Sequence, residues 1–264
     1  MEKALTLFGY GEAGQAFARA AGWEAQAQVF DIKTDAPEAR DAVLACYEAD
    51  GVSGATNPEN ALRNSRVILS LVTADQALAV AQHAALHILP NALYFDMNSV
   101  APDTKLAAAK LIDKAGARYV DVAVMAPVHP ARLAVPLLVS GPHAGEGVAA
   151  LADLGFTNLG VVNGDIGQAS AIKMIRSIMV KGQEALTAEM MLAARAAGVV
   201  DEVLGSLGDG WDIKADYNIE RMRTHGIRRA AEMKEVAKTL TALGVNPVMT
   251  NATVKRQREM AEWH

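Results

Sequence analysis

The 264-residue sequence predicts an α/β domain with a mostly parallel sheet, followed by an all-α domain joined to it through a long helix. Up to about residue 162, short apolar runs alternate with alanine-rich helical stretches, as in a sheet covered by helices on both faces. After Asn163-Gly164 no strand-like run returns, and residues 167–197 contain no proline and consist mainly of helix formers. The predicted domains are therefore residues 1–162 and 163–264.

Each element of this prediction comes from hydrophobic pattern and from breaker residues. The apolar runs are nearly continuous, which indicates strands that are buried on both faces of the sheet. Strands are expected at residues 4–8, 27–30, 66–72, 92–96, 118–122, 135–139 and 159–162. Helices are expected at residues 15–21, 36–49, 75–87, 102–116, 144–154, 167–197, 211–223, 228–243 and 248–262.

Composition limits the classes to which the protein can belong. Apolar residues make up 51% of the chain and charged residues 21%, which is enough to bury a sizeable core. The single cysteine, Cys46, forms no internal disulfide and fits a reducing compartment. No basic leader and no apolar run of membrane-spanning length occurs, so we expect a cytoplasmic protein without a membrane partner. The net charge of −5 does not suggest nucleic acid, and no metal-binding motif is present.

The opening segment has the order of a dinucleotide-binding unit. An apolar run ends at Gly9, and Gly11 and Gly14 complete the pattern G-x-G-x-x-G before a helical stretch, a second apolar run and Asp31. The first glycine permits a tight turn, the second lets backbone approach a pyrophosphate, and the third allows the helix to pack close to the strand. The start of the helix then offers N–H groups and a positive dipole end to the phosphates. This predicts a Rossmann-like domain that binds a nicotinamide dinucleotide.

Asp31 also indicates which dinucleotide is used. A carboxylate at the end of the second strand accepts hydrogen bonds from the adenosine ribose and repels a 2′-phosphate, which favours NAD. Lys33 lies close enough to leave NADP as the alternative. Further candidates lie at the end of the run 66–72 and just after it, and after the run 92–96. The expected cofactor-binding residues are Gly9, Tyr10, Gly11, Glu12, Ala13, Gly14, Asp31, Lys33, Leu71, Val72, Thr73 and Asn98.

The long helix carries a lysine in apolar surroundings. Lys173 lies among Ile172, Met174 and Ile175, and Ser177 follows one turn later on the same face. Burial lowers the pKa of a lysine amine, which suits general acid–base work near neutral pH. A lysine whose stem packs while its charge reaches solvent fits the same pattern. The local pattern leaves both interpretations open.

Four segments in this order resemble the β-hydroxyacid dehydrogenases, relatives of 6-phosphogluconate dehydrogenase. Besides the glycine pattern, residues 96–102 resemble that family's D-x-S-T-x-x-P segment, and residues 121–127 resemble its D-A-P-V-S-G-G loop in altered form. In the helix motif G-x-x-G-x-G-x-x-x-K-x-x-x-N, three positions match and two are replaced. The matching residues are Gly164, Gly167 and Lys173, and the replacements are Ala169 and Ser177. The resemblance covers about residues 3–200, and the C-terminal segment resembles a branch with its own helical domain.

The resemblance implies a catalytic role for Lys173 and a substrate site around it. Lys173 is expected to be the general acid and base, with Ser177 hydrogen-bonded to the reacting oxygen. Asn98 and Ser99 are expected to border the nicotinamide and the substrate. The altered loop, Val124, Met125 and Ala126 followed by Pro127, lacks the family's serine hydroxyl and one backbone N–H. The acid group of a substrate is therefore expected to be absent or held elsewhere.

Two basic residues are candidates to hold that acid group. His225 and Arg228, with Arg229 beside them, are expected at the start of a helix, where an arginine fork can bind a carboxylate or phosphate. The alternative is that these arginines lie on the surface and pair with Glu232 and Glu235.

The sequence therefore predicts an NAD(P)-dependent dehydrogenase that acts on the CH–OH group of a small acidic hydroxy substrate. Two alternatives stay open at this stage, an imine reductase and a dinucleotide-binding regulator without turnover. The resemblance further implies a homodimer. The apolar residues expected to supply its surface and the interdomain core are Met174, Ile178, Leu186, Met190 and Leu192.

Overall fold

The computed structural model describes residues 5–23 and 26–263, so Ala4, with which the first predicted strand begins, lies outside the described residues. The chain divides into two compact units, Met1–Lys173 and Met174–His264, and each is described by itself.

The first unit is built on one sheet, in which the described residues form eight strands in the order β3-β2-β1-β4-β5-β6-β7-β8. All neighbouring strands are parallel except β6 and β7, which confirms the mostly parallel sheet. The strands are β1 (Leu5–Phe8), β2 (Ala27–Phe30), β3 (Ser53–Gly54), β4 (Val67–Ser70), β5 (Leu93–Asp96), β6 (Arg118–Val124), β7 (Leu137–Ser140) and β8 (Leu159–Val161).

Helices connect these strands, and three of them begin with a proline in the first turn, where its missing N–H and fixed φ are tolerated. The helices are α1 (Glu12–Ala21), α2 (Pro37–Ala49), α3 (Pro58–Leu62), α4 (Ala77–Ala85), α5 (Pro102–Lys114) and α6 (Ala144–Asp153), with 3-10 turns at Ile32–Asp35 and Arg132–Ala134. β3 and α3 were not predicted, because two and five residues are too few to show a hydrophobic period.

The two faces of the sheet carry separate hydrophobic cores. Leu7, Phe17 and Val122 belong to one core. Phe8 and Tyr119 belong to the other. Because Leu7 and Phe8 are neighbours in one strand and point to opposite faces, the alternation explains why the strands read as nearly continuous apolar runs.

The second unit is helical. The long helix α7 (Gln168–Ala197) begins in the first unit and continues into the second, followed by α8 (Val200–Leu207), α9 (Trp211–Ala242) and α10 (Val248–Ala261). The predicted division at residue 162 precedes α7, whereas the contacts divide the chain inside this helix, after Lys173. In the part of the chain that the structure describes, no helix is both long and apolar enough to cross a membrane.

The prediction of two helices at 211–223 and 228–243 was wrong, because α9 is a single helix of 32 residues. Gly226 lies inside it, where a glycine is unfavourable but tolerated. A Cβ at this position would come within 2.3 Å of the carbonyl oxygen of Gln257 in α10. Gly226 therefore permits close approach of two helices rather than ending one.

Candidate active site

The reversal of strand order between β1 and β4 defines the crevice where such sheets bind ligands. From β1 the chain proceeds outward to β2 and β3, then returns to place β4 on the other side of β1. The loops after the two strands therefore diverge at their carboxyl ends, which leaves a crevice between them. Gly9 follows β1 and Leu71 follows β4, so both predicted cofactor loops lie at this point.

Each of the three glycines in the first loop is required for a different physical reason. Gly9 has φ +86°, and a Cβ there would lie 2.7 Å from the carbonyl oxygen of Leu71. A Cβ on Gly14, which lies in α1, would be 2.8 Å from the carbonyl oxygen of Gly9 in the loop. Around Gly11, by contrast, a Cβ would meet no atom within 4 Å. Gly9 and Gly14 thus serve packing, while Gly11 borders open space of the kind that a pyrophosphate fills.

The beginning of α1 completes this phosphate-binding geometry. Gly11 is the N-cap and has no side chain to cap the first turn, and Glu12 and Ala13 begin the helix. The N–H groups of such a first turn and the positive end of the helix dipole favour an anion. The local structure fits the predicted dinucleotide.

Asp31 connects the glycine loop to the turn after β2. Its Oδ2 accepts a hydrogen bond from the N–H of Tyr10 at 2.8 Å, and its Oδ1 accepts one from the N–H of Lys33 at 3.0 Å. Each carboxylate oxygen has two lone pairs, so acceptor capacity for ribose hydroxyls is left. Asp31 therefore supports the loop in addition to its predicted cofactor contact, while the side chain of Lys33 is exposed.

The Tyr10 side chain anchors the same loop from inside the unit. Its hydroxyl donates to Asp50 at 2.9 Å, and its ring meets that of Tyr47 edge to face at 5.3 Å. Burial, and then the hydrogen bond to Asp50, raises the pKa of the Tyr10 hydroxyl, so this group stays a donor. Direct contact of Tyr10 with the cofactor stays a prediction.

The second loop is tied to the end of β5 by Asn98. The Oδ1 of Asn98 accepts from the N–H of Val72 at 2.8 Å, while its Nδ2 donates to Ser70 Oγ at 2.9 Å and Asp96 Oδ1 at 2.8 Å. Asn98 is 3% exposed, and these bonds use both of its amide hydrogens within the protein. The structure thus shows Asn98 positioning Val72 and the neighbouring Leu71 and Thr73. Its contact with substrate or nicotinamide stays a prediction.

Lys173 and Ser99 are brought together as a pair. The Nζ of Lys173 donates to the Oγ of Ser99 at 2.5 Å, and both residues are partly buried. Ser99 follows Asn98 directly, and Lys173 lies near the start of α7. The lysine that the sequence singled out therefore meets a polar partner at the carboxyl end of β5, next to the residue that fixes the second loop.

Sequence reasoning missed a buried ion cluster that is hydrogen-bonded to Asn98, the residue before Ser99. Lys105 of α5 lies 2.9 Å from Asp96 Oδ1 and 3.3 Å from Asp121 Oδ1, and all three side chains are completely buried. The hydroxyl of Tyr119 donates to Asp96 Oδ2 at 2.7 Å. Burial, and then the charge of Asp96, raises the pKa of Tyr119 well above its ordinary value, so it remains a donor. The available signal was an aspartate in each of two apolar runs, Asp96 at the end of residues 92–96 and Asp121 within residues 118–122.

The altered substrate loop offers few hydrogen-bond donors. The N–H of Met125 donates to the carbonyl oxygen of Pro136 at 2.8 Å as β6 meets the segment before β7. Pro127 has no N–H. Val124, Met125 and Ala126 are all partly exposed, so they can border a ligand with apolar groups. Residues 125 and 127 therefore offer no backbone N–H to the acid group of a substrate, as the sequence led us to expect.

The remaining predicted site residues belong to the second unit. Ser177 is 6% exposed and follows Lys173 by one turn of α7. His225 and Arg228 lie in the middle of α9, so their placement at a helix start was wrong. The structure has one continuous helix where the sequence predicted two, at residues 211–223 and 228–243. Arg228 is exposed and His225 is partly buried.

The side chain of Arg229 forms a buried ion pair within the second unit. Its guanidinium forms a two-pronged ion pair with Glu184, with Nε 2.9 Å from Oε2, and Gln257 donates to the same Oε2 at 2.9 Å. Both charged side chains are buried. This pairing differs from the predicted alternative of Glu232 and Glu235. Glu232 accepts from Lys181 at 2.5 Å, and Glu235 accepts from Lys238.

Comparison with protein families gives two matches along the chain. A family model described as the NAD binding domain of 6-phosphogluconate dehydrogenase matches residues 4–160. A second model, described as a domain of unknown function (DUF1932), matches residues 194–260. The match to residues 4–160 agrees with the loop and crevice geometry and confirms NAD(P) as the cofactor class.

Comparison with solved structures gives similar proteins over nearly the whole chain. A conserved hypothetical protein from Sinorhizobium meliloti is 37% identical, with a TM-score of 0.73, covering 99% of this chain and 89% of that one. A 3-hydroxyisobutyrate dehydrogenase from Mycobacterium tuberculosis is 15% identical with a TM-score of 0.74, covering 100% and 95%. A reductive aminase from Aspergillus terreus, solved with NADPH, is 19% identical with a TM-score of 0.61, covering 100% and 95%. At these last two identities the likeness shows the fold alone.

Proposed function

The chain belongs to the family defined by the NAD binding domain of 6-phosphogluconate dehydrogenase, and on this basis we propose that it is an NAD(P)-dependent dehydrogenase acting on the alcohol carbon of a small acidic hydroxy compound. The observation that carries the proposal is the Lys173–Ser99 pair at the carboxyl end of β5. A titratable amine beside a hydroxyl, in the unit that binds the dinucleotide, has the composition of a proton-transfer site.

The cofactor is proposed to be held by the two loops of the crevice. The space at Gly11 and the first turn of α1 fit the pyrophosphate, and the remaining lone pairs of Asp31 fit the adenosine ribose. A carboxylate at this position disfavours a 2′-phosphate, so NAD is proposed as the preferred form. When bound, the nicotinamide supplies the acceptor or donor of the hydride.

The residues of this chain manage the proton. In oxidation, the amine of Lys173 takes the proton of the substrate hydroxyl, and in reduction its ammonium returns that proton to the carbonyl oxygen. The hydroxyl of Ser99 holds the amine in place. Ser177, one turn later in α7, is proposed to donate a hydrogen bond to the reacting oxygen. Asn98 contributes by fixing the loop around Val72.

The substrate's acid group is proposed to be bound outside the loop of residues 124–127, whose donors are scarce. Arg228, which is exposed, and His225 on the same helix are the candidates. Replacing Arg228 by methionine should raise KM for an acidic substrate and leave KM for the dinucleotide unchanged. An unchanged KM for the acidic substrate would remove Arg228 from the site.

The test is nicotinamide absorbance over a panel of hydroxy acids, phosphorylated hydroxy acids and cyclic imines, each with the NAD and the NADP forms. For a responding hydroxy compound, Lys173→Met should lower kcat by about 10²- to 10⁴-fold, the usual contribution of a general acid–base group. The Kd for the dinucleotide should stay close to that of the unchanged protein. Lys110→Met, at an exposed position of α5, is the matched control. Retained kcat in Lys173→Met would refute the role of Lys173.

Two other functions give different results in the same assay. An imine reductase, to which the fold likeness with the reductive aminase draws attention, would respond to imines and not to hydroxy compounds. A regulator without turnover would bind the dinucleotide and respond to none of the compounds. Either result would replace the proposed dehydrogenase.

A further inference from the structure

Four neighbouring strands each place a polar side chain in one buried row. The strand register pairs Ser70 with Asp96, Asp96 with Asp121, and Asp121 with Ser140. All four residues have no solvent exposure. Two carboxylates buried side by side repel each other, so the row requires a buried positive charge.

Lys105 supplies this charge and bridges the two carboxylates. Its Nζ donates to the carbonyl oxygen of Asp96 at 2.5 Å and to its Oδ1 at 2.9 Å, and it lies 3.3 Å from Asp121 Oδ1. An ammonium has three hydrogens, and three acceptors surround this one. One side chain on α5 therefore links the two carboxylates that the strand register places side by side.

Asp121 and Ser140 cap the helix that carries Lys173. The Oδ2 of Asp121 accepts from the N–H of Gly167 at 3.0 Å and of Ser170 at 3.3 Å, and the Oγ of Ser140 accepts from the N–H of Ala169 at 3.0 Å. The hydroxyl of Ser170 also donates to Asp121 Oδ1 at 2.8 Å. Gly167, which precedes α7, has no side chain with which to cap it. The sheet performs that function, and the positive end of the helix dipole favours the carboxylate there.

Separate hydrogen bonds thus connect the two members of the Lys173–Ser99 pair to the same ion cluster. Ser99 follows Asn98, whose N–H and Nδ2 both donate to Asp96 Oδ1 at 3.0 and 2.8 Å. Lys173 lies one turn after Ser170, which is fixed to Asp121. Lys105 connects the two carboxylates and therefore the two routes.

We propose that Lys105 is a positioning residue that sets the Lys173 amine against Ser99 by bridging Asp96 and Asp121. The proposal rests on the proposed function for its effect on turnover, but its geometric part concerns the placement of Lys173 alone. Without the bridge, the side chain that links the end of β5 to the first turn of α7 through Asp96 and Asp121 is lost. Displacements of about 1 Å at a reacting group lower rates by about 100-fold.

The experiment compares Lys105→Met with Ile112→Ala. Ile112 is also on α5 and completely buried, so its truncation destabilises the same helix while it removes no charged or hydrogen-bonding group of the ion cluster. At a temperature where both variants are folded, Lys105→Met should lower kcat by about 10- to 100-fold with little change in the Kd for the dinucleotide. Ile112→Ala should keep its kcat. A kcat for Lys105→Met equal to that of Ile112→Ala would overturn the proposal.

A second readout needs no substrate. Native labelling with trinitrobenzenesulfonate, quantified by mass spectrometry of the peptide that contains Lys173, reports how the amine is held. Lys105→Met should label several-fold faster at Lys173 than the unchanged protein, and Ile112→Ala should not. If Lys105→Met fails to fold, Ser170→Ala, which removes a single hydroxyl bonded to Asp121, should give the same change.

These results separate the two levels of inference. An unchanged labelling rate at Lys173 in Lys105→Met and Ser170→Ala would overturn the positioning role, whatever the protein's activity. Faster labelling without turnover of any compound by the unchanged protein would support the positioning of Lys173 and refute the dehydrogenase reaction.

Discussion

Removal of the Asp31 carboxylate is expected to weaken the binding of both NAD and NADP, rather than to exchange one for the other. Asp31 holds the N–H of Tyr10 inside the glycine loop and the N–H of Lys33 in the following turn. A hydrogen bond to a charged group contributes about 1.5 kcal/mol at the lower end, so two contribute about 3 kcal/mol. For a chain of this size 1 kcal/mol changes Tm by about 2–4 °C, so Asp31→Ala should lower Tm by about 6–12 °C.

The informative comparison is between Asp31→Ala and Asp31→Asn. Asparagine retains one acceptor oxygen without the negative charge, so it should lose about half of the stability and raise the ratio of NADP to NAD binding. Tm by calorimetry and both Kd values by fluorescence titration measure these effects. Asp35→Ala, at an exposed acid in the same turn, removes the same charge and is the control. If Asp31→Ala matched Asp35→Ala in Tm and in NAD affinity, the supporting role of Asp31 would be refuted.

Two further predictions concern the second unit. Gly226→Ala should lower the free energy of unfolding by about 1–3 kcal/mol, because the added Cβ would meet the backbone of α10. Gly182→Ala should raise the free energy of unfolding by about 0.5–1 kcal/mol, because a Cβ at this position of α7 meets no atom within 4 Å. Changes of the same sign in calorimetry would contradict this account. Met179 and Leu186 form an exposed apolar face of α7, at 63% and 56% exposure, which a second copy of the chain can cover. Light scattering should therefore give twice the 27.9 kDa mass of one chain. The double variant Met179→Asp with Leu186→Asp should have the mass of a single chain. Leu86→Asp in the first unit, at 74% exposure, is the control, and a monomeric unchanged protein would exclude the homodimer.

Met179 replaces most of the residues predicted for the dimer surface, because those residues pack inside the second unit. Met174 is completely buried in a cluster with Met233 and Val236. Ile178 packs partly against the same cluster, and Met190 and Leu192 pack against another. Leu186, which is exposed, stays a candidate. Hydrophobicity along a helix indicates which residues avoid water, but it does not indicate which neighbour covers them.

Local signals predicted most elements of the first unit. Apolar runs bounded by glycine, proline and polar residues located its longer strands, and α7 begins and ends within a residue of the predicted range. The glycine pattern likewise predicted the tight loop between β1 and α1. Such signals work because backbone conformation and hydrophobic period are properties of a short segment. The predicted gap between residues 223 and 228 was wrong, and Gly226 within it serves the close contact with α10.

The sequence by itself determined the parallel α/β unit, the helical continuation, the glycine loop and the prominence of Lys173. Only the tertiary structure decided which polar groups meet: the buried Lys105 with Asp96 and Asp121, and the partly buried Lys173 with Ser99. Lys105 lies in an amphipathic helix, where a lysine ordinarily marks the solvent side. Its burial follows from the register of β5 and β6, which places two carboxylates side by side under α5. Pairing between distant segments depends on that register, and no local pattern encodes it.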